Sequence, residues 1–394
     1  MAQASTSKYE PCLWPAFGLG LAVATGNGLA RFAYALLLPA MREDLLWTYA
    51  QAGWLNTANA LGYVVGATFG YWLLAYVSPA RLFALGLCLT FISLPATGLD
   101  ANLSWLSSMR LISGIGAAWV FACGSSLIAD RYKDDARLRG TATGLFFAGA
   151  GLGIALSSVT VYPLLAYLGT GGWPQAWLLL GVLAALLSIW PLWEALRAKG
   201  AANQPSRARI SFDAVLMPLL GYFAFAAGYI IYMTFILAWL DDRGWSWTVG
   251  MWVWMVLGFG VAISPFVWRP ALDRWPATFT LSASCAVTLS GTGIALLDTS
   301  AIGLMLSALV FGLGVFIAPS SIAVLVRQRM PANLWAKGMT FFTVIFAVGQ
   351  SIGPVAAGWI ADQASLERSL WLSAALLLIS ALLPLCPGLK SKPG

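Results

Sequence analysis

The sequence predicts an all-α, polytopic membrane protein with twelve transmembrane helices in two pseudo-symmetric six-helix bundles. Composition, the length of the apolar stretches and an internal repeat support this prediction. The chain of 394 residues is 60% hydrophobic and only 9% charged, with a mean hydropathy of +0.79, whereas a soluble domain carries about 25% charged residues. The apolar runs are continuous, which favours helices over the alternating strands of a membrane barrel.

The apolar stretches set the number of spans. A helix needs about 20 apolar residues to cross a hydrocarbon core of about 30 Å. Twelve stretches meet this length. We expect the spans near 14–40, 49–76, 80–99, 102–129, 140–166, 172–196, 211–240, 246–268, 275–297, 300–327, 334–362 and 366–386.

The two halves of the chain share landmarks at an offset of 198 residues. The coinciding pairs are Gly114 with Gly312, Gly116 with Gly314, Gly140 with Gly338, and Tyr34 with Tyr232. The longest polar connection lies between the halves and carries Pro205 and four cations. We therefore expect an N-terminal six-helix bundle at 1–196, a cytoplasmic linker at 197–210 and a C-terminal six-helix bundle at 211–394. Parallel repeats of this kind recur in secondary transporters, with the substrate near the bilayer midplane.

The loop cations predict the orientation, because cytoplasmic loops carry an excess of Lys and Arg. The face that holds the N-terminus has Lys8, Arg81, Arg131, Lys133, Arg137, Arg139, Arg197, Lys199, Arg207, Arg209, Arg269, Arg274, Arg327, Arg329, Lys337, Lys390 and Lys392. The opposite face has only Arg42, Arg243 and Arg368. The prediction is a multi-pass protein of the bacterial inner membrane with both termini in the cytoplasm. Because the net charge of +7 is spread over these loops, it does not indicate nucleic-acid binding.

Several classes of chemistry lack the residues they need. The chain has no His, and its five Cys are scattered without a C-x-x-C motif, so we expect neither a metal site nor a cofactor. A membrane enzyme would need a His or clustered carboxylates, whereas the acidic pairs here lie in short loops. A sensor would be expected to carry a soluble output domain, and the sequence does not lead us to expect one. The sequence therefore predicts a protein that is not an enzyme.

Arg31 and Arg110 are the two charges that lie well inside the predicted spans rather than at their ends. A charge at that depth costs about 2.5–3.5 kcal/mol on insertion scales and usually marks a pathway or a ligand site. At a rise of 1.5 Å per residue, the two lie about 13 Å and about 12 Å from the same membrane face. No intramembrane carboxylate accompanies them, so they indicate a cavity that accepts an anion. The alternative is that the guanidinium groups bond helix carbonyls or extend to the interface.

Polar and aromatic neighbours complete the set of candidate substrate-binding residues. On the first span, Asn27 is four residues before Arg31 and Tyr34 is three residues after it, so both adjoin it on a helix. Tyr229 and Tyr232 are similarly spaced on the seventh span, and Tyr229 is the repeat counterpart of Arg31. The remaining candidates are Asn59 and Gln350. For the amides, hydrogen bonds between helices are the favoured alternative; such bonds are worth about 0.6 kcal/mol in membranes.

Over nearly its whole length the chain resembles the major facilitator superfamily. The segment SMRLISGIGAAW, 108–119, is similar to the fourth-helix signature, an Arg followed by clustered glycines. GQSIGPVAAG, 349–358, is similar to a glycine-proline motif that is more often found on the fifth helix. The loop 70–86 departs from the family pattern, with Ala75 in place of an Asp. GNGLARFAYALLLPAM, 26–41, resembles a bacterial branch whose substrates are largely unassigned.

The resemblance implies alternating access of two six-helix bundles, with the first and fourth helices lining a central cavity. If this holds, Arg31 and Arg110 can clamp a carboxylate, sulfonate or phosphate through bidentate hydrogen bonds. We expect a secondary transporter of a small organic anion, with a carboxylate favoured. Proton symport, uniport and anion exchange are open, and efflux of amphipathic or drug-like compounds is the alternative function. The expected partners are the substrate and the lipid bilayer, without nucleic acid, and the expected state is a monomer.

Overall fold

A computed structural model describes residues 12–198, 215–331 and 334–386, and every regular element in these ranges is helical. The first six long helices are α1 Trp14–Asp44, α2 Tyr49–Leu73, α3 Pro79–Thr97, α4 Leu103–Arg131, α5 Ala136–Leu168 and α6 Trp173–Arg197. The next six are α7 Leu216–Asp242, α8 Trp247–Val267, α9 Ala277–Leu297, α10 Ala301–Arg329, α11 Trp335–Gln363 and α12 Leu366–Leu382. The all-α, polytopic membrane fold predicted from the apolar stretches is confirmed.

Side-chain caps mark where several helices begin. Ser78, Asn102, Ser300 and Ser365 each accept a hydrogen bond from a backbone N–H in the first turn of the helix that follows. Thr48 forms a reciprocal capping box at the start of α2. These caps satisfy N–H groups that have no partner within the helix, which places the helix starts at the short polar loops of the sequence.

Helix α2 differs from the other long helices in polarity. Eleven helices in the described ranges are long and apolar enough to cross a membrane, and α2 is not among them although it has 25 residues. It contains Asn56, Thr57 and Asn59, and all three side chains are buried against neighbouring helices. The helix can be this polar because its polar groups bond to protein rather than face lipid.

Helix α1 is interrupted by a π-helical segment, Ala24–Phe32, between Trp14–Val23 and Tyr34–Asp44. Within it the N–H of Ala33 reaches the carbonyl of Gly28, five residues back, at 3.0 Å. Such wide turns are frequent at functional sites and disturb the regular ladder of backbone hydrogen bonds. All residues from Ala24 to Phe32 are buried. Arg31 therefore lies in an irregular, buried turn in the middle part of α1.

Three helix pairs connect the first six helices to the last six, namely α2 with α11, α5 with α8 and, less extensively, α1 with α7. The backbones approach closely at glycines. A Cβ on Gly53 would collide with the carbonyl of Pro354, and one on Gly151 would collide with the carbonyl of Gly258. Small residues at such contacts allow helices to pack tightly in membranes. The glycine-rich motif on α5 thus lies at the contact with α8, and the glycine-proline motif on α11 lies at the contact with α2.

Most of the predicted linker at 197–210 lies outside the described residues. Arg197 ends α6 and Ala198 follows it. The division into bundles at 1–196 and 211–394 stays a prediction.

Candidate substrate site

A cavity of about 1080 Å³ lies between the two sets of six helices. Its deep end is formed by Asn27, Arg31, Tyr63 and Tyr229, all nearly inaccessible to solvent. Its mouth is at the cation-rich end of the molecule. The residues at the mouth include Arg137, Arg139, Arg269, Asp273, Arg327 and Gln328, most of them exposed. The cavity therefore leads from the cation-rich face to the π-helical turn of α1.

The opposite end of the molecule is closed by polar contacts between helices. The carboxylate of Asp362 accepts the backbone N–H groups of Tyr49 at 2.7 Å and Ala50 at 2.9 Å. The Tyr49 hydroxyl donates to Asp242 at 2.7 Å, and Arg42 lies 3.8 Å from the same carboxylate. These bonds join the start of α2 to the ends of α7 and α11. They must break if this end is to open.

Deeper hydrogen bonds continue this closure toward the cavity. The amide of Asn56 donates to the Thr234 hydroxyl at 2.5 Å, and the Thr57 hydroxyl donates to the carbonyl of Ser351 at 2.6 Å. The amides and hydroxyls of α2 therefore contribute to contacts with α7 and α11. These contacts explain why α2 is more polar than the other long helices.

Arg31 lies at the deep end of the cavity and is 3% exposed. Its Nη2 donates to Oε1 of Gln350 at 2.5 Å, and its Nε has no hydrogen-bond partner. The guanidinium carbon lies 5.2 Å from the centre of the Tyr63 ring and 5.6 Å from that of Phe32. The charge is thus held by aromatic faces and one neutral amide, with a donor left free.

Gln350 connects Arg31 to the C-terminal helices. Its side chain is fully buried, and its Nε2 donates to the Tyr229 hydroxyl. The chain Arg31–Gln350–Tyr229 therefore runs from α1 through α11 to α7. Gln350 does not line the cavity itself. The structure brings these three predicted residues together, with Asn27 on the same cavity wall; the Oδ1 of Asn27 is buried without a partner.

Arg110 has different surroundings although it lies beside Arg31. Its Nη1 donates to the carbonyl of Ala30, and its Nη2 donates to the carbonyl of Arg31 at 3.2 Å. Its guanidinium carbon lies 5.2 Å from the Tyr34 ring centre and 5.4 Å from that of Trp177. Arg110 is 1% exposed and does not line the cavity. It supplies donors to backbone carbonyls in the irregular turn of α1.

Three further predicted site residues are also placed away from the cavity. The Tyr34 hydroxyl donates to the carbonyl of Ala52 at 2.7 Å, because the wide turn of α1 rotates this residue toward α2. The Tyr232 hydroxyl shares a 2.7 Å hydrogen bond with Ser307. The Asn59 amide donates to the carbonyl of Arg110 at 3.1 Å. Each of these side chains connects helices within the protein interior.

Charge balance at the deep end is one-sided. The ion pairs among the described residues are Arg42–Asp242, Arg131–Glu194, Arg243–Glu367 and Arg269–Asp273. Neither Arg31 nor Arg110 takes part in one. The cavity is lined by five arginines and a single carboxylate, Asp273, in the described part of the chain. No group of three His, Cys, Asp or Glu side chains in these ranges is placed to hold a metal ion.

The aromatic lining of the cavity is the part that sequence reasoning missed. Phe32 and Tyr63 line one wall, and Tyr222, Tyr229 and Phe346 line the other. Of these only Tyr229 was among the predicted site residues. Tyr63 lies four residues after Asn59 and seven after Asn56, which puts all three near one face of α2. This spacing could have indicated that Tyr63 lines the site. It did not single out Tyr63, because the chain has many aromatic residues in similar positions.

Comparisons with known proteins agree with the fold. A family model described as "Uncharacterised MFS-type transporter YbfB" matches residues 12–385. A bacterial homolog to the human lysosomal transporter Spinster, in an inward-facing and unoccupied conformation, has a TM-score of 0.71 at 16% identity. That match covers 96% of this chain and 97% of the other. The occupied, inward-facing form gives a TM-score of 0.72 at 16% identity, over 94% and 95%.

One curated relative also matches part of the chain. The Niacin transporter NiaP of Acinetobacter baylyi is 25% identical over 148 residues. This segment is 38% of this chain and 33% of that protein. The match thus spans about a third of the length of the relative.

Proposed function

This chain belongs to the major facilitator superfamily, in the family of YbfB-type transporters, and we propose that it carries a small organic anion, a carboxylate, by alternating access. The membrane is the bacterial inner membrane, with both termini in the cytoplasm. Two features beyond family membership support the anion: the unpaired charge of Arg31 and the excess of arginine along the cavity. The partial match to a niacin transporter agrees with this class, since niacin is a small carboxylic acid.

Arg31 carries the proposal. A buried guanidinium without a carboxylate is costly in a membrane, and here its one hydrogen-bond acceptor is the neutral amide of Gln350. Its Nε is unpaired. A carboxylate can accept two parallel hydrogen bonds from such a group, which are shorter and roughly twice as strong as bonds between neutral groups. A substrate carboxylate would therefore use the free Nε and displace Gln350.

Arg110 acts on the substrate indirectly in this proposal. Its two donors hold the carbonyls of Ala30 and Arg31, the residue whose side chain anchors the anion. Removing Arg110 would release the turn rather than remove a substrate contact. We therefore treat Arg110 as a positioning residue.

The cavity is open at one end of the molecule and closed at the other, which corresponds to one state of alternating access. With the cation-rich face in the cytoplasm, the cavity is open inward and the outer end is closed by Asp362, Asp242 and Tyr49. Arg137, Arg139 and Arg327 at the mouth would attract anions from solution, because a cleft lined by one sign of charge raises the local concentration of the opposite charge. Alternating access requires that the outer contacts break as the mouth closes.

In this proposal, any coupling of transport to protons depends on the substrate rather than on an acidic side chain of the cavity. The one carboxylate among the described cavity residues is Asp273, which is exposed at the mouth and 3.9 Å from Arg269. A proton would then cross on the substrate carboxyl group; uniport and anion exchange are the alternatives. A pH gradient across proteoliposomes separates them: it drives accumulation only if a proton accompanies the substrate. Anion exchange instead requires a substrate anion on the opposite side.

Efflux of amphipathic compounds is the second candidate function. The cavity volume of about 1080 Å³ and its aromatic walls favour it, since drug-sized ligands fill pockets of about 300–1,000 Å³. The two functions differ in their need for charge. Efflux of this kind predicts that neutral and anionic compounds bind equally and that Arg31 can be replaced without loss.

Thermal stabilisation of the purified full-length protein tests the proposal. We expect carboxylates to raise the melting temperature of the wild type, and neutral amides of the same shape to leave it unchanged, because a ligand stabilises the state that it binds. Arg31→Ala should remove the response and Arg31→Lys should retain part of it. Arg81→Ala is the matched control, since Arg81 is exposed outside the cavity. An unchanged carboxylate response in Arg31→Ala would exclude the anion anchor.

A further inference from the structure

The residues around Arg31 specify more than a negative charge. We propose that the substrate is a planar aromatic monocarboxylate, bound with its carboxylate on Arg31 and its ring between two aromatic walls. This inference rests on the proposed function, because it assumes that Arg31 anchors an anion. It adds two requirements that the anchor alone does not impose, namely a single negative charge and a flat ring.

The single charge follows from the number of free cations at the deep end. Arg31 has an unpaired Nε and a neutral partner. The Nε of the neighbouring Arg110 is also unpaired, but both its terminal nitrogens bond to backbone carbonyls and the residue does not line the cavity. The other arginines of the cavity wall are at its mouth. A second carboxylate on a small substrate would therefore be buried without a cation in the described part of the site, which is strongly unfavourable.

The wall formed by the N-terminal helices is built from the rings that flank Arg31. The guanidinium carbon lies 5.2 Å from the ring centre of Tyr63 and 5.6 Å from that of Phe32. Both rings line the cavity and are at least nine-tenths buried. An anion that reaches the guanidinium therefore arrives next to aromatic surface.

The wall formed by the C-terminal helices is a stack of nearly parallel rings. Tyr222 and Phe346 have ring centres 4.8 Å apart with an angle of 21° between planes. Tyr229 and Phe346 are 5.7 Å apart at 15°. All three line the cavity. A group of stacked rings suits another flat ring better than a puckered one, because aromatic pairs prefer stacked or edge-to-face contact.

The two walls belong to different halves of the chain. Phe32 and Tyr63 are on α1 and α2, whereas Tyr222 and Tyr229 are on α7 and Phe346 is on α11. Gln350, which holds Arg31 to Tyr229, is one turn further along α11 from Phe346. A ring with its carboxylate on Arg31 would thus contact both halves at once. The substrate would then replace Gln350 as the link between them.

Four ligands of similar size separate the requirements on the purified full-length protein. Benzoate is flat and carries one charge, cyclohexanecarboxylate has the charge without the flat ring, terephthalate carries two charges, and benzamide has the ring without the charge. We expect benzoate to bind about threefold to tenfold more tightly than cyclohexanecarboxylate, the range that one aromatic contact supplies. Terephthalate and benzamide should both bind more weakly than benzoate.

Aromatic variants locate the preference within the site. Tyr63→Leu and Tyr229→Leu should each lower the preference for benzoate over cyclohexanecarboxylate, whereas Tyr229→Phe should retain it because the ring stays. Phe69→Leu is the control on the same helix as Tyr63, since Phe69 is 57% exposed. Each variant is first compared with the wild type by thermal unfolding, and only variants that unfold like the wild type are titrated.

The outcomes distinguish this inference from the function on which it rests. Equal binding of benzoate and cyclohexanecarboxylate, lost in Arg31→Ala, would overturn the aromatic site and leave the anion transporter intact. Terephthalate bound as tightly as benzoate would overturn the single charge. Benzamide bound as tightly as benzoate, with no effect of Arg31→Ala, would overturn the anion transporter itself. Binding of none of the four ligands would overturn the inference as well.

Discussion

Arg31 and Arg110 are neighbouring buried arginines, but their guanidinium groups have different hydrogen-bond partners and different positions relative to the cavity. Around Arg110 the protein provides two backbone carbonyls and two aromatic rings, so both terminal nitrogens are bonded, and only its Nε lacks a partner, as does the Nε of Arg31. Around Arg31 it provides one neutral amide, two aromatic faces and an open cavity. A buried cation whose terminal nitrogens bond to backbone carbonyls away from the cavity supports structure, whereas one that lines the cavity can bind a ligand.

The comparison also shows how the two regions depend on each other. The carbonyls that accept hydrogen bonds from Arg110 belong to Ala30 and to Arg31 itself. They lie in the π-helical segment, where the regular pattern of backbone hydrogen bonds is disturbed. Arg110 therefore stabilises the turn that places Arg31 at the cavity. Substitutions in the two regions should accordingly change different properties, stability around Arg110 and ligand affinity around Arg31.

The largest expected effect is that of Arg110→Ala on stability. The substitution leaves two buried carbonyls without donors, at about 1–3 kcal/mol each, and leaves a space beside Tyr34 and Trp177. We expect a clear fall in melting temperature and in folded yield. Arg110→Lys should recover only part of this, because an ammonium cannot match the planar fork of a guanidinium. Arg31→Ala is the matched comparison and should unfold near the wild-type temperature; the same loss of stability in both variants would remove the distinction.

A smaller effect of opposite sign is expected for Gln350→Ala. The amide competes with the substrate for Arg31, so its removal should tighten carboxylate binding. A typical hydrogen bond contributes about 0.5–1.5 kcal/mol, which corresponds to roughly a twofold to tenfold decrease in the dissociation constant of benzoate. Isothermal titration of wild type and variant measures it. Weaker binding in Gln350→Ala would show that the amide contacts the ligand instead of competing with it.

The smallest effects separate the two regions by a pair of identical substitutions. Tyr34→Phe removes the hydroxyl that bonds to the carbonyl of Ala52, and Tyr229→Phe removes the hydroxyl that bonds to Gln350. Hydrogen bonds between helices in membranes average about 0.6 kcal/mol. We expect Tyr34→Phe to lower the melting temperature slightly without changing benzoate affinity. Tyr229→Phe should change affinity slightly because it frees Gln350, and a reversal of this pattern would contradict the account.

The sequence predicts the architecture well because the bilayer imposes it. The lengths of the apolar stretches can be read from the sequence without any knowledge of tertiary contacts. Helix α2 was also recognisable, although Asn56, Thr57 and Asn59 make it the most polar of the predicted spans. The reason for its polarity is visible only in the structure, where these side chains form hydrogen bonds with residues of α4, α7 and α11.

The candidate site was predictable only in part, for a physical reason. Spacing along a regular helix placed Asn27, Arg31 and Tyr34 together, but the π-helical segment sends Tyr34 to Ala52. Whether the terminal nitrogens of a buried arginine bond to backbone carbonyls depends on the position of another helix, which no local sequence pattern records. The sequence therefore identified Arg31 and Arg110 as a pair and could not tell which of them faces a cavity.

The most direct test supplies Arg31 with the acid that it lacks. Gln350→Glu replaces the amide on Arg31 by a carboxylate of the same shape, so the variant should fold, unfold thermally at or above the wild-type temperature and bind no benzoate at neutral pH. Gln350→Ala, prepared in parallel, should bind benzoate at least as well as the wild type. A folded Gln350→Glu protein that binds benzoate with wild-type affinity would contradict the claim that Arg31 is held free for an anionic substrate.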